Sequence, residues 1–418
     1  MSKGKQKLVL VGNGMAGIRF LEELIKHDSC PYEITAFGSE PHGGYNRILL
    51  SPLLSGEQTL DDIITHPVSW YKQNKIDLKT GKTIVDIDRA NKQLSDSDGH
   101  NYSYDKLIIA TGSIPFVPPI PGHQLKGVHT YRTIEDVEAM LAINKTKTRS
   151  RSVVIGGGLL GLEAAYGLRA RGMDVTVLHL CPVLMENQLD ETASNKLIES
   201  LEGKGIVIRT EANTRQIHGT EYVESVELND GTIINADLVI IAVGIRPNIN
   251  LARTAGIDCE RGILVNDHLQ TSDPDIFALG ECIQHRKATY GLVAPLYEQA
   301  AICADYLCGN HEAIYSGSIT ATGLKVTGVH LFSAGQFLED GDCKTIKLVD
   351  DNKGIYRKLV VKNNILIGAL LYGDINGSFW YQQLIQSKED ITPYKSFIMF
   401  GPDYLPEESR IEVSSMAA

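Results

Sequence analysis

The pattern Gly-x-Gly-x-x-Gly occurs twice in this chain, each time at the end of an apolar run. The first copy is Gly12-Asn13-Gly14-Met15-Ala16-Gly17, after Leu8 to Val11. The second is Gly156-Gly157-Gly158-Leu159-Leu160-Gly161, after Val153 to Ile155. Both read as strand, tight turn, helix. In such a unit the first Gly permits the turn, the second lets a pyrophosphate approach the backbone, and the third lets helix and strand pack closely. The phosphate then lies against N–H groups that have no partner at the positive end of a helix. A single copy also suits ordinary packing. Two copies in the same context predict two dinucleotides in one chain, most simply FAD and NAD(P)H, with hydride passing between them.

The 418 residues suit two or three domains, and the 43% apolar content supplies their cores. A formal net charge of −11 argues against nucleic-acid or anionic-membrane partners. No run of about 18 apolar residues occurs, so no membrane span is expected. The N-terminal stretch Met1 to Lys7 lacks the apolar core of a signal peptide, so a cytoplasmic protein is expected. None of the seven cysteines lies in C-x-x-C or in zinc or iron–sulfur spacing, so no metal site is expected and burial is their default role.

Strand–helix–strand patterning covers Lys7 to Phe37. A polar loop with Tyr45 and Asn46 follows, then a helical stretch from Leu60 to Asn74. Turn signals at Thr80-Gly81-Lys82 and Asp98-Gly99 mark a small antiparallel sheet. The strand Lys106 to Ala110 ends in Thr111-Gly112-Ser113-Ile114-Pro115, and the Pro-rich run to Gly122 reads as a domain crossing. The plan then repeats: a nucleotide unit from Arg151 to Leu178, a hairpin around Asn229-Asp230-Gly231, and an apolar strand Leu238 to Val243 that ends in Gly244. The fold class is therefore α/β, with two Rossmann-like three-layer dinucleotide-binding domains and a C-terminal α+β domain. The boundaries are 1–115 with 245–317 for a discontinuous FAD-binding domain, 116–244 for an NAD(P)-binding domain, and 318–418 for the last module.

These motifs, together with Ala110-Thr111-Gly112-Ser113 and Ile276-Phe277-Ala278-Leu279-Gly280-Glu281, resemble the two-dinucleotide flavoprotein disulfide-reductase superfamily over nearly the whole chain. The segments His42 to Leu54, Thr289 to Ala300, Leu324 to Gly335 and Tyr356 to Asp374 are most similar to the N-terminal flavin module of assimilatory nitrite reductase [NAD(P)H] large subunits. Rubredoxin and ferredoxin reductases are similar at a greater distance.

The resemblance implies residue roles. Glu40 is the candidate acceptor for the FAD ribose, and a solvated loop carboxylate is its plain alternative. Arg47 is placed at the pyrophosphate or flavin, with a surface salt bridge as the alternative. Relatives carry a Lys after the residue matching Ser51, where this chain has Pro52. Its usual partner matches Glu163, so Glu163 and Arg47 are the residues expected beside the flavin, with Arg47 standing in for the Lys. Thr111, Gly112 and Arg132 match FAD-contacting positions. Glu281 matches the Asp that binds the ribityl chain, and Pro295 and Tyr290 lie near the flavin or serve packing. His179 stands where NAD-binding chains have an acid on the ribose 2′-OH. With no Arg beside it, NADH is expected over NADPH, which stays open.

The stretch Pro41 to Ser55, where disulfide reductases place their redox cysteines, contains none. Dithiol relay is therefore not expected. Electrons should leave the flavin directly for a separate protein with an iron centre, either a nitrite/nitrate reductase component or a rubredoxin-like carrier. The chain is expected to be the electron-donating part of an assimilatory nitrite/nitrate reductase system. A rubredoxin or ferredoxin reductase, an NADH oxidase or diaphorase, and an NAD(H)-sensing interaction protein are the alternatives. A homodimer is compatible with all of them.

Overall fold

The computed structural model describes residues 5–27, 30–145, 150–318, 321–324, 326–339 and 341–405. Sequence readings therefore touch residues outside the described ones at five places: the N-terminal stretch at 1–4, the patterning Lys7 to Phe37 at 28–29, the domain 116–244 at 146–149, the segment Leu324 to Gly335 at Lys325, and the last module at 319–320, 325, 340 and beyond 405.

In chain order the principal elements are β1 (Gln6–Val11), α1 (Met15–Ile25), β2 (Tyr32–Gly38), β3 (Ile76–Thr80), β4 (Lys106–Ile109), β5 (Arg151–Ile155), α2 (Leu159–Ala170), β6 (Asp174–Leu178), α3 (Glu191–Gly203), β7 (Ile206–Arg209), β8 (Leu238–Ile241), β9 (Ile276–Ala278), α4 (Val293–Leu307), β10 (Leu331–Gly335), β11 (Lys344–Asp350), β12 (Ile355–Lys362), β13 (Ile365–Tyr372) and α5 (Ser378–Ser387). They fall into two compact units. One is Met1–Leu53, Glu57–Phe116 and Gly244–Ser318; the other is Leu54–Gly56, Val117–Val243 and Ile319–Ala418.

The first unit centres on a five-stranded sheet in the order β9-β4-β1-β2-β3, parallel throughout. Strands of such a sheet are covered on both faces, so they read as continuous apolar runs rather than alternating ones. Leu8, Leu10, Leu107, Ile108 and Ile109 are all fully buried. A three-stranded antiparallel sheet, Ile84–Asp88, Gln93–Asp96 and Asn101–Ser103, is inserted before β4. The turn at Thr80-Gly81 closes β3 of the parallel sheet rather than opening the small one. The stretch 60–74 is not one helix. Leu60–Ile63 and Val68–Gln73 are separated by the strand Ile64–His66, because Pro67 cannot continue a helix through its neighbour and instead starts the second one. Ser113–Pro115 pairs antiparallel with Ile245–Pro247, which ties the two chain crossings together.

The second unit repeats the plan. A short strand Val128–His129 and β8-β5-β6-β7 form a second all-parallel sheet. Its antiparallel insertion is Thr214–Gly219, Val223–Leu228 and Ile233–Asn235, with Asn229-Asp230-Gly231 in the second turn. The same unit holds the last module, an antiparallel sheet in the order Ala321–Thr322, β10, β13, β12, β11. Trp380, Tyr381 and Leu384 of α5 close its core over Leu359, Leu366 and Leu371. No helix of the described residues is long and apolar enough to cross a membrane.

Candidate functional site

The two fingerprints have the same geometry, glycine by glycine. Gly12 and Gly156 adopt φ of +118° and +121°, a region where a side chain is strained. A Cβ on either would also lie 2.1 or 2.2 Å from a carbonyl oxygen, that of Ala110 or Ala242. A Cβ on Gly17 or Gly161 would strike the carbonyl oxygen of its own turn, Gly12 or Gly156, at 2.1 or 2.0 Å. Gly14 and Gly158 differ from these. Their Cβ positions meet no atom within 4 Å, and each residue is the N-cap of its helix without a side-chain cap. The first and third glycines are thus required by the fold itself. The second faces open space at a helix start, where unpartnered N–H groups favour an anion. A dinucleotide pyrophosphate fits both places.

Around the first fingerprint, Tyr71 donates its hydroxyl to Oδ1 of Asn13 at 2.7 Å. Thr111 Oγ1 donates to the carbonyl of Asn248 at 2.7 Å, and Gly112, at φ +68°, accepts from the Asn248 N–H. Ser113 Oγ donates to the Glu281 carboxylate at 2.8 Å. The preceding Gly280 N–H bonds Oε1 of Gln299, a wholly buried side chain on α4 whose Nε2 reaches Tyr315. Pro295 is buried in the first turn of α4, and Tyr290 is buried with its ring against Tyr315. Ser113 and Gln299 went unnoticed in the sequence. Each lies in a quoted segment, Ala110-Thr111-Gly112-Ser113 or Thr289 to Ala300, but neither was given a role, because their partners lie 168 and 19 residues away.

Glu40 and Arg47 come together. The guanidinium donates to Glu40 at 2.7 Å, and the Tyr45 hydroxyl donates to the other carboxylate oxygen at 2.9 Å. Both charged side chains are about a quarter exposed, 27% and 24%. Burial is the main cause that pushes the Tyr45 phenol well above its ordinary range, so it stays a donor to Glu40.

In the second unit, Glu163 is buried on α2. Arg132 precedes a helix, and its N–H bonds Asp136 Oδ2 at 2.7 Å. Gly244, in the first unit, adopts φ +118°, and its carbonyl accepts from Phe116. His179 follows β6 and is buried beside the second fingerprint. Its Nδ1 accepts from the Gly157 N–H at 3.1 Å and its Nε2 donates to the Val183 carbonyl at 2.9 Å. The sequence marked the position but not these bonds, which occupy both ring nitrogens.

None of the seven cysteines forms a disulfide. Full burial holds for Cys282 and Cys303; the other five are half-buried. Burial pushes the Cys282 thiol up to about 11 and raises Cys303 further, so neither supplies a thiolate at neutral pH.

Two dinucleotide cradles in one chain define a flavin-dependent pyridine-nucleotide oxidoreductase that uses FAD and NAD(P)H. The chain belongs to the pyridine nucleotide-disulphide oxidoreductase family, whose model matches residues 6–301, and residues 321–389 match the rubredoxin NAD+ reductase C-terminal domain. It is 48% identical over 399 residues to a nitrite reductase [NAD(P)H] of Bacillus subtilis (strain 168), covering 96% of this chain and 49% of the relative. It is 45% identical over 395 residues to the assimilatory nitrate reductase electron transfer subunit of the same organism, covering 94% and 51%. The chain thus spans about half the length of these curated relatives. Among solved structures it resembles the NADH:rubredoxin oxidoreductase of Clostridium acetobutylicum, with a TM-score of 0.79, 27% identity, and 95% and 99% of the two chains covered.

Proposed function

We propose that this protein takes electrons from NADH and passes them through FAD to a separate iron-centre protein of a cytoplasmic nitrite or nitrate assimilation system. The observation that carries this reading is the pair of matching cradles in a chain with no cysteine from Pro41 to Ser55. Bound FAD would supply the change from two-electron to one-electron chemistry. The chain's own residues bind and orient. The helix starts at Gly14 and Gly158 hold the two pyrophosphates. Glu281, fixed by Ser113 and by the Gln299-held turn before it, holds the ribityl chain near Thr111 and Gly112. Glu40 accepts from the FAD ribose, and the Arg47 it steadies lies at the flavin or its phosphates, with Arg132, Glu163, Gly244 and Pro295 completing the cofactor contacts. In this reading 1–115 with 245–317 binds FAD, 116–244 binds NAD(P)H, and 318–418 takes part in transfer to the partner.

The relatives' names support the acceptor class, and the rubredoxin-reductase domain match supports the second reading, a rubredoxin-like acceptor. The test is anaerobic reduction of the flavin-loaded protein by NADH, followed by mixing with a sirohaem nitrite reductase, a nitrate reductase catalytic subunit, or a rubredoxin. Fast reoxidation by one of the first two is expected. Reoxidation by rubredoxin alone selects the second reading, and reoxidation only by oxygen rejects both.

A further inference from the structure

The ribose-selecting position after β6 is filled by His179, yet the ring has no nitrogen to spare. Gly157 N–H points at Nδ1, so the proton sits on Nε2, which donates to the Val183 carbonyl. A Cβ on Gly157 would lie 2.5 Å from Leu184 Cδ2 and 2.8 Å from His179 Cγ, so the imidazole packs closely against the fingerprint turn. His179 is a clasp between the turn and the loop that follows.

That loop is built to deliver a carboxylate. Met185 N–H bonds the Gly157 carbonyl at 3.0 Å, and Leu184 N–H bonds Ser194 Oγ at 2.8 Å. Met185 adopts φ +51°, a left-handed backbone rare for a non-glycine residue, and the surrounding bonds over-determine it. The next residue is Glu186. Its Oε2 lies 3.3 Å from His179 Nε2, and its side chain is 40% exposed. The acid that the sequence lacks at the strand end is thus supplied from seven residues further on.

His179, Cys181 and Glu186 offer ligand atoms within 4.8 Å of one another. They do not make a cation site, because His179 carries its proton on the nitrogen that faces the carboxylate. No Lys or Arg occurs between His179 and Asp190. Arg209, on the neighbouring strand, acts on Asp230, and Lys196 pairs with Asp351 at 2.8 Å.

We propose that Glu186, held by His179, is the residue that selects NADH over NADPH in this protein. This rests on the reading that the second fingerprint binds the nicotinamide dinucleotide. A fixed carboxylate at this place accepts a hydrogen bond from a free ribose 2′-OH and repels a 2′-phosphate. His179 acts as a positioning residue through it.

The test compares Glu186→Gln and Glu186→Arg with the unmodified flavin-loaded protein. Calorimetric titration with 5′-AMP and with 2′-phospho-AMP gives affinity independently of turnover, and kcat/KM is measured for NADH and NADPH with ferricyanide. Glu186→Gln is expected to tighten 2′-phospho-AMP and weaken 5′-AMP, shifting the ratio by about tenfold, ~1.4 kcal/mol. Glu186→Arg is expected to move it further the same way. Opposite movement of the two ligands is the signature that a loop-folding role does not produce. Parallel loss of both, or an unchanged ratio in both variants, overturns the proposal. Should neither mononucleotide bind the unmodified protein, the reading of the second fingerprint fails and the proposal fails with it. A selectivity that follows Arg209→Ala but neither Glu186 variant also overturns it, and assigns discrimination to the neighbouring strand.

Discussion

Lys358 holds its ammonium 3.1 Å from a carboxylate oxygen of Asp190, with the two side chains 5% and 14% exposed. The same oxygen accepts from the Tyr356 hydroxyl at 2.7 Å, while the other caps α3 by accepting from the Ala193 N–H at 3.1 Å. One carboxylate therefore joins β12 of the last module to the second nucleotide fold. Removing one partner of a buried ion pair costs roughly 3–5 kcal/mol when the other charge is left uncompensated, and losing an N-cap costs about 1 kcal/mol more. Glu339 stays 3.8 Å from Lys358, so Asp190→Ala should lower urea stability by less than that sum but by more than the cap alone. Lys358→Met should cost less, since Tyr356 and the cap bond still satisfy Asp190. Urea unfolding of both variants checks the order, and a Lys358→Met loss as large as that of Asp190→Ala would contradict it.

The three glycines of each fingerprint should separate by function. Gly17→Ala places a methyl 2.1 Å from the Gly12 carbonyl oxygen, so helix and turn must part, and several kcal/mol of stability should be lost with FAD binding. Gly14→Ala meets no protein atom. It should leave apoprotein stability within about 1 kcal/mol while it weakens FAD. Gly158→Ala should do the same for NADH. Thermal melts with and without cofactor, beside fluorescence titration of FAD, distinguish the classes. Equal destabilisation of apoprotein by Gly14→Ala and Gly17→Ala would show that the second glycine has only a packing role.

Electrons should need no thiol. Replacing all seven cysteines, with Ala at the buried Cys282 and Cys303, should keep NADH reduction of the flavin and onward transfer to ferricyanide. Stopped-flow absorbance follows both half-reactions. A folded, flavin-loaded, cysteine-free protein that is reduced but not reoxidised by ferricyanide would refute direct exit from the flavin.

Asp267 carries a pH signature. Its carboxylate is held down to about 2 from 3.8, first by hydrogen bonds from Arg286 and then by His285, whose Nε2 lies 2.8 Å away. A depressed carboxylate pKa contributes stability that is complete above the unfolded value and is lost as pH falls through the folded one. The difference in urea midpoint between the unmodified protein and Asp267→Asn should therefore be constant from pH 7 to about 5 and shrink between about 4 and 2. A gap that is independent of pH over that window would exclude a charge-linked contribution. The carboxylate is 38% exposed, so solvent screening keeps the effect modest.

Sequence alone determined what is local and repeated. The fingerprints announce themselves because turn, cap and helix start lie within six residues, and the steric demands on Gly17 and Gly161 come from Gly12 and Gly156 of the same turn, whereas the contacts of Gly12 and Gly156 with Ala110 and Ala242 come from distant strand ends. The apolar runs of β1, β4, β5 and β8 likewise follow from strands buried on both faces. The position of His179 was legible from its place after β6; its bonds were not. Tertiary structure decided that its ring bridges Gly157 and Val183, and that Glu186 stands beside it. It paired Arg47 with Glu40, set Ser113 on Glu281 and Gln299 under Gly280, and brought Lys358 to Asp190. Each of these joins polar groups on separate elements through one or two directional bonds. Such a bond needs only the right atom at the right distance, so it imposes no spacing or periodicity on the chain. Burial drives the apolar pattern of a whole strand or helix and leaves a trace there. A single hydrogen bond between distant residues leaves none until the fold has closed.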